Sequence, residues 1–372
     1  MKARVSIVKC DSYDSSRVQE ATKKSLQLLG GITNFVKPGS RVLVKPNLLM
    51  AIEPESGVDT HPEVVRAVIK ILKEIGCKIS VGDGPSAWGS YAENVDLVYE
   101  RSGMKRITEE EGVALVKFDK HRWRGKFPLS SRLDECEYFV SLPKFKTHEF
   151  TTLTGAVKNL YGLLSTTYKT EMHKRHSEIN GFANTLADIY QEARPSLTII
   201  DGIIAMEGDG PATSGKLRQS GLLCAGSDCV AIDSVLSVIM GLKPHDIWTT
   251  KVTAERGLGV IDINSIEILG EQLQDVIQEP FKLPASSLRS RIPKPIMRLG
   301  KKLIRFLPEV NHANCINCGA CIEACPEKII RRKNNRISID YSKCISCFCC
   351  QEACPASAIK IKKSVFAKII GL

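Results

Sequence analysis

Nine of the fourteen cysteines in this 372-residue chain fall between Cys315 and Cys354, and eight of them repeat one spacing. The first copy runs Cys315, Cys318, Cys321 and Cys325, followed by Pro326; the second runs Cys344, Cys347, Cys350 and Cys354, followed by Pro355. Three thiolates at such intervals can wrap three irons of one cube, and the fourth, set further on and followed by proline, is turned toward the other cube. The spacing therefore predicts one 4Fe-4S cluster on Cys315, Cys318, Cys321 and Cys354, and a second on Cys344, Cys347, Cys350 and Cys325. Disulfides or zinc fit a doubled eight-cysteine pattern with paired prolines poorly. Cys349 cannot join either set without displacing a ligand, which leaves it a spare thiol near the second cube.

The segment resembles the bacterial two-cluster ferredoxins over about 50 residues. The other five cysteines, Cys10, Cys77, Cys136, Cys224 and Cys229, are scattered in mostly apolar surroundings, as small core residues are in a reducing compartment. The first ten residues are strand-like and charged rather than a signal sequence, and no run approaches the ~18 apolar residues of a membrane span. A cytoplasmic protein is expected. The formal charge of +11 belongs to one end of the chain: residues 281–372 hold 18 Lys and Arg against 5 Asp and Glu, while residues 1–280 hold 34 against 36. Each oxidised cube on four thiolates carries about −2, so part of that basicity compensates the clusters. The remainder suits an acidic redox partner protein or a peripheral contact with an anionic membrane. Nucleic acid binding through Arg331, Arg332, Lys333 and Arg336 is disfavoured, because no aromatic residues interleave that run.

Upstream, short β-branched runs alternate with amphipathic stretches. Strands are expected at residues 3–9, 41–44, 77–81, 113–118, 138–142, 197–200 and 265–269, and helices at 16–29, 62–75, 94–101 and 228–240. Pro62 suits the first turn of its helix, with Thr60 as the candidate cap and Gly76 as the stop. This alternation predicts an α/β fold, an open, mostly parallel sheet with helices on both faces, joined to a small C-terminal α+β ferredoxin domain. The expected domains are 1–278, a proline-rich linker with a basic amphipathic helix at 279–310, the cluster domain at 311–363 and an amphipathic tail at 364–372. The helix, residues 296–307, suits a connector packed on a domain or a membrane-surface segment, and the tail repeats its pattern.

Ligands of open parallel sheets bind beyond the carboxyl ends of the strands, where loops diverge and helix N-termini point in. Polar motifs fall at those ends: Lys45 and Asn47, Asp83, then Lys144, Lys146 and His148, then Glu207 and Asp209, with Lys158 and Asn159 after Thr154-Gly155. Lys146, His148 and Lys158 are the candidate catalytic residues, as amines and an acid or base. Lys45, Asn47, Asp83, Lys144, Asn159, Glu207 and Asp209 are the candidate substrate-binding residues, and Glu207 with Asp209 could also hold a divalent metal. Lys45 and Lys144 read equally well as solvated loop charges, and Gly208, Gly210 and Pro211 as a tight turn. His173 and His176 could ligate a metal only on a helix; the lysines around them favour a solvated loop or lid. Cys229 reads as a helix-start residue, capped by Ser227 or Asp228, rather than a reactive thiol. No glycine-rich phosphate loop is present.

Several short motifs occur in a specific order: Val44-Lys45-Pro46-Asn47, Thr60-His61-Pro62-Glu63, Gly82-Asp83-Gly84-Pro85, Pro143-Lys144-Phe145-Lys146-Thr147-His148, Thr154-Gly155-Ala156-Val157-Lys158-Asn159, Asp201-Gly202 through Glu207-Gly208, and Ser227-Asp228-Cys229-Val230-Ala231-Ile232-Asp233. As a set, over roughly residues 1–270, they resemble the domain of unknown function numbered 362, in the form that carries a C-terminal two-cluster ferredoxin domain. The resemblance implies an iron-sulfur cluster protein and no particular reaction; Cys229 stands where that family often has proline. The combined expectation is an iron-sulfur oxidoreductase that passes electrons from two 4Fe-4S clusters to an anionic small molecule in the α/β domain. The alternative is a non-catalytic electron carrier or assembly module that docks a partner protein.

Overall fold

The computed structural model describes residues 2–85, 95–176, 178–284 and 305–364. Its β-branched runs pair into one ten-stranded sheet. In chain order the strands are β1 (Ala3–Lys9), β2 (Arg41–Pro46), β3 (Lys78–Val81), β4 (Ala114–Leu115), β5 (His121–Arg124), β6 (Phe127–Ser130), β7 (Tyr138–Leu142), β8 (Lys144–His148), β9 (Thr152–Thr154), β10 (Leu197–Gly208), β11 (Gly215–Gly226) and β12 (Ile266–Gly270). The sheet order is β12-β1-β11-β10-β7-β2-β3-β4, with β8 on β10 and β9 on β8, while β5 and β6 form a separate hairpin. Only the β1–β11, β10–β11 and β8–β9 pairings in the large sheet are antiparallel. Helices cover both faces: Ile179–Glu192 and Cys229–Ile239 over one apolar cluster, Pro62–Glu74 and Met104–Glu110 over another. The α/β expectation is met.

Three local expectations change. β10 runs twelve residues rather than four, because it pairs along most of its length with β11, which the sequence does not announce. The first part of β11, Gly-Lys-Leu-Arg-Gln, is exposed or half-buried and carries no apolar alternation, whereas Leu222 to Ala225 are buried. Lys144–His148 is not a loop but strand β8, buried at every position. Thr60 does not cap the helix at Pro62; His61 Nδ1 accepts the Glu63 amide at 3.2 Å, and Thr60 Oγ1 instead donates to Leu142 O at 2.6 Å. Asp228 caps the Cys229–Ile239 helix, accepting the Val230 and Ala231 amides at 2.8 and 3.0 Å.

The C-terminal domain is built on two antiparallel hairpins, β13 (Phe306–Val310) with β16 (Ile359–Lys363), and β14 (Ile330–Lys333) with β15 (Arg336–Ile339). The expected basic helix lies outside the described residues for 296–304, and Phe306 and Leu307 at its end are strand, paired with Lys363 and Lys362. The expected tail lies outside them from residue 365 onward. Among the described residues no helix is long and apolar enough to cross a membrane.

Candidate functional site

The cysteine repeat folds as a repeat. Asn317 and Ser346, Gly319 and Phe348, and Lys328 and Ser357 occupy matching places in the two copies, and all six have positive φ, from 50° to 89°. These left-handed residues curl each loop back on itself, and at Phe348 and Lys328 the side chain makes that conformation costly. Two cavities result, each with 330 Å³ of empty space. One is lined by Cys315, Cys318, Cys321 and Cys354, the other by Cys325, Cys344, Cys347 and Cys350. Each cavity thus takes three cysteines from one copy and the fourth from the other. Among the described residues no three His, Cys, Asp or Glu side chains converge to hold a single ion. A 4Fe-4S cube is held by four thiolates distributed around it, so cysteines set around a cavity fit it where they would not fit one zinc. Isoleucines close both cavities, Ile316, Ile337 and Ile359 on one, Ile329, Ile330 and Ile339 on the other. Burial and solvent exclusion of this kind tune cluster potential.

A polar cleft with 500 Å³ of empty space lies beyond the carboxyl ends of β2, β3 and β8. Asn47, Asp83, Lys146, His148, Lys158 and Asn159 line it, as the strand-end argument expects. Lys169, His173, Thr154 and Tyr161 also line it, and sequence reasoning did not select them as site residues. Its remaining acid, Glu352, comes from the other domain, from the helical turn Cys349–Glu352. Glu352 stands two residues from both Cys350 and Cys354, at most about 7.6 Å of Cα trace. The two domains meet here through Gln351 Nε2 to Asp209 O (2.8 Å), Thr213 Oγ1 to Cys354 O (2.9 Å) and Ser357 Oγ to Thr213 O (2.7 Å).

The lysines differ in what they hold. Lys45 is fully buried, and its three donors go to Asp83 Oδ1 (2.7 Å), Asn159 Oδ1 (3.0 Å) and Pro46 O (3.1 Å). Lys45 is thus a buried bracket rather than a solvated charge or a free ligand-binding cation. Gly162 makes room for it, since a Cβ there would lie 2.6 Å from Lys45 Nζ and 2.5 Å from Asp83 Oδ1. Asn159 Nδ2 donates to Ser141 Oγ at 2.9 Å, which leaves Asn159 tied on both sides. Lys144 lies away from the cleft, buried against Asp201 Oδ2 (2.8 Å) and Tyr13 Oη (2.6 Å), in a knot closed by Tyr13 stacking on His61. Lys146 donates to Val58 O at 2.5 Å beside the buried Asp59; burial lowers the lysine pKa and raises that of the acid, and each opposes the shift of the other. Lys169 donates to Gly84 O and to Pro85 O, and burial brings its pKa down to about 8. Among the described residues no hydrogen-bond acceptor meets Lys158; its ammonium lies 5.8 Å from the Tyr161 ring centroid.

His148 is a fixed neutral donor. Its Nδ1 accepts the amides of Phe150 (3.0 Å) and, more loosely, Thr151 (3.4 Å), which puts the ring proton on Nε2. Nε2 stands 3.3 Å from Glu352 Oε1, out of line for a hydrogen bond, and both atoms are buried without a partner. Burial holds the His148 pKa well below its ordinary value, which keeps the ring neutral. His173 is on a helix, Thr166–Arg175, buried between Phe150, Tyr161 and Phe182 instead of in a solvated loop, while His176 sits at that helix's C-terminal cap. Burial drives the His173 pKa to about 3. Glu207 and Asp209 do not line the cleft: Glu207 pairs with Arg218 at 2.9 Å and accepts the Lys282 amide, and the Asp209 carbonyl receives Gln351. Cys229 is buried in the core, where desolvation raises its thiol pKa. A wider open groove beside β1 mixes Lys9, Arg17 and Lys24 with Asp11, Glu20 and Asp275, and has no such convergence of buried donors.

An α/β domain joined to a cysteine-cage domain, which contributes Glu352 to the wall of its polar cleft, defines an iron-sulfur protein. The chain belongs to the DUF362 family, the domain of unknown function matched over residues 42–237; residues 307–355 match the 4Fe-4S dicluster domain. It is similar to the thylakoid-associated protein sll1697 of Synechocystis sp., with 35% identity over 265 residues, 69% of this chain and 81% of the relative. Among solved structures it is similar to a Thermotoga maritima protein (12% identity, TM-score 0.35, 54% of this chain and 52% of that one). It also matches the lactate racemase apoprotein of Thermoanaerobacterium thermosaccharolyticum (13% identity, TM-score 0.34, 61% and 54%). The chain spans about half the length of these two structures.

Proposed function

We propose that the protein is an electron-transfer enzyme in which two 4Fe-4S clusters, on the two cysteine sets named above, exchange electrons with an anionic small molecule held in the cleft. One observation carries the reading: Glu352, on the helical turn that bears Cys350, is part of the cleft wall. The clusters supply single electrons at a potential set by their surroundings. The residues of the chain do the rest. Lys158 and His148 offer donors to the ligand, and Tyr161 and the helical turn shield it from water. Lys146, whose pKa burial lowers, can release a proton to a reduced product more readily than an exposed lysine. Fusing donor and cleft makes their encounter intramolecular, at high effective concentration.

To test this, the cluster-loaded protein is reduced without oxygen and its reoxidation is followed optically against a panel of small anionic acceptors. At least one acceptor should speed reoxidation, and Lys146→Ala should slow that step about 100-fold, the lower end for a lost general acid. If no acceptor accelerates reoxidation and Lys146→Ala changes nothing, the chain is a carrier or docking module instead.

A further inference from the structure

The cleft also constrains the charge and chemistry of what it holds, on the premise that it is the ligand site. Its ammonium groups are those of Lys146, Lys158 and Lys169, with Lys45 directly behind Asp83. The carboxylates facing them are Asp59, Asp83 and Glu352. Both histidines are held neutral. Three lysines already have acceptors, Lys45 from Asp83, Asn159 and Pro46, Lys146 from Val58, and Lys169 from Gly84 and Pro85. Lys158 is the cation without one among the described residues.

Among the described residues, four buried polar atoms of the wall lack a hydrogen-bond partner: His148 Nε2 and Thr154 Oγ1, which can donate, and Asn47 Oδ1 and Glu352 Oε1, which accept. A buried donor left unmet costs about 1–3 kcal/mol, which a ligand relieves. A phosphate-like dianion fits badly. It would bring two negative charges to Lys158, the one ammonium that no protein acceptor holds among the described residues. Among the described residues no arginine lines the cleft. The amides of Ala156 and Val157, which could otherwise cradle a phosphate, are both taken by Asp233 at 2.6 and 3.1 Å. That capture depends on Gly155, where a Cβ would stand 2.1 Å from Asp233 Oδ1.

The geometry points to a small monocarboxylate as the ligand of the cleft, with its oxygens accepting hydrogen bonds from Lys158 Nζ and His148 Nε2. One charge meets one charge, and the neutral imidazole serves the second oxygen without adding another. Thr154 Oγ1 is free to donate to the same group or to a neighbouring substituent.

The test is calorimetric titration of the full-length, cluster-loaded protein with acetate, propionate, inorganic phosphate and sulfate. Acetate or propionate should bind saturably at one site, and Lys158→Gln, at unchanged iron content, should weaken that binding at least tenfold. In the unsubstituted protein, nitrogen NMR should show the His148 imidazole keeping its Nε2 proton and shifting as carboxylate is added, whatever the variant does. Phosphate or sulfate binding as tightly as the carboxylates, or carboxylate binding that leaves the His148 signal unmoved, overturns the proposal. Carboxylate binding without any effect on reduced clusters sinks the electron-transfer reading and leaves this one standing. Reoxidation by an anionic acceptor that is not a carboxylate, with no carboxylate bound, does the reverse.

Discussion

Lys45 and Lys158 are the same residue type within one site, and their hydrogen bonds assign them opposite jobs. Lys45 uses all its donors inside the protein, so its charge belongs to the fold. Removing one member of a buried pair leaves the other uncompensated, at a cost of about 3–5 kcal/mol. Lys45→Met should therefore lower the free energy of urea unfolding by that amount, with a matching fall in the midpoint, and Lys45→Met/Asp83→Leu should recover much of it. An unchanged midpoint in the single variant would show that Asp83 finds another partner. The distinction between the two lysines was not legible in the sequence. Both follow or end short apolar stretches, and the two side chains that hold Lys45 lie 38 and 114 residues away. His173 was hidden for a related reason. Its neighbours in sequence are charged, but the aromatic residues that bury it come from three other segments.

Among the elements, the helix Cys229–Ile239 shows how one side chain can hold several backbones. Asp228 Oδ1 caps its first turn, and Oδ2 accepts the Val260 amide at 2.9 Å. Loss of such a cap costs about 0.5–2 kcal/mol, and the orphaned Val260 amide adds to it. Asp228→Ala should lower the thermal midpoint of unfolding by several degrees, at about 2–4 °C per kcal/mol, and Asp228→Asn by less. Equal midpoints for the two variants would count against the cap. This element could be read from its sequence, because capping and apolar periodicity are local. β8 could not. Lys-Phe-Lys-Thr-His has a solvated look, and it is strand only because β9 and β10 supply its ladder and the sheet faces supply its burial. β11 was missed because half of it is a polar ribbon whose partner, not its composition, makes it strand.

For the whole molecule, polar contacts join the two domains. Hydrogen bonds from Gln351 to Asp209 and from Thr213 to Cys354 hold the helical turn Cys349–Glu352 over the cleft. Each such bond contributes about 0.5–1.5 kcal/mol. Thr213→Val combined with Gln351→Leu should raise amide hydrogen exchange at residues 349–352 about tenfold or more, at unchanged iron content. Unaltered protection there would mean that other contacts hold the seam.

The sequence by itself determined the 4Fe-4S dicluster domain, because a cysteine cage is written in short spacings that survive any tertiary arrangement. It also determined the α/β class, since the alternation of apolar runs is local, and the family, through the ordered motifs at strand ends. Only the tertiary structure decided which of those motif residues face the cleft and which are braced behind it. It also decided that an acid of the cluster domain completes the cleft wall. Those outcomes depend on side chains that meet across tens to hundreds of residues, in a buried setting where each charge must find its partner, and no spacing along the chain records that meeting.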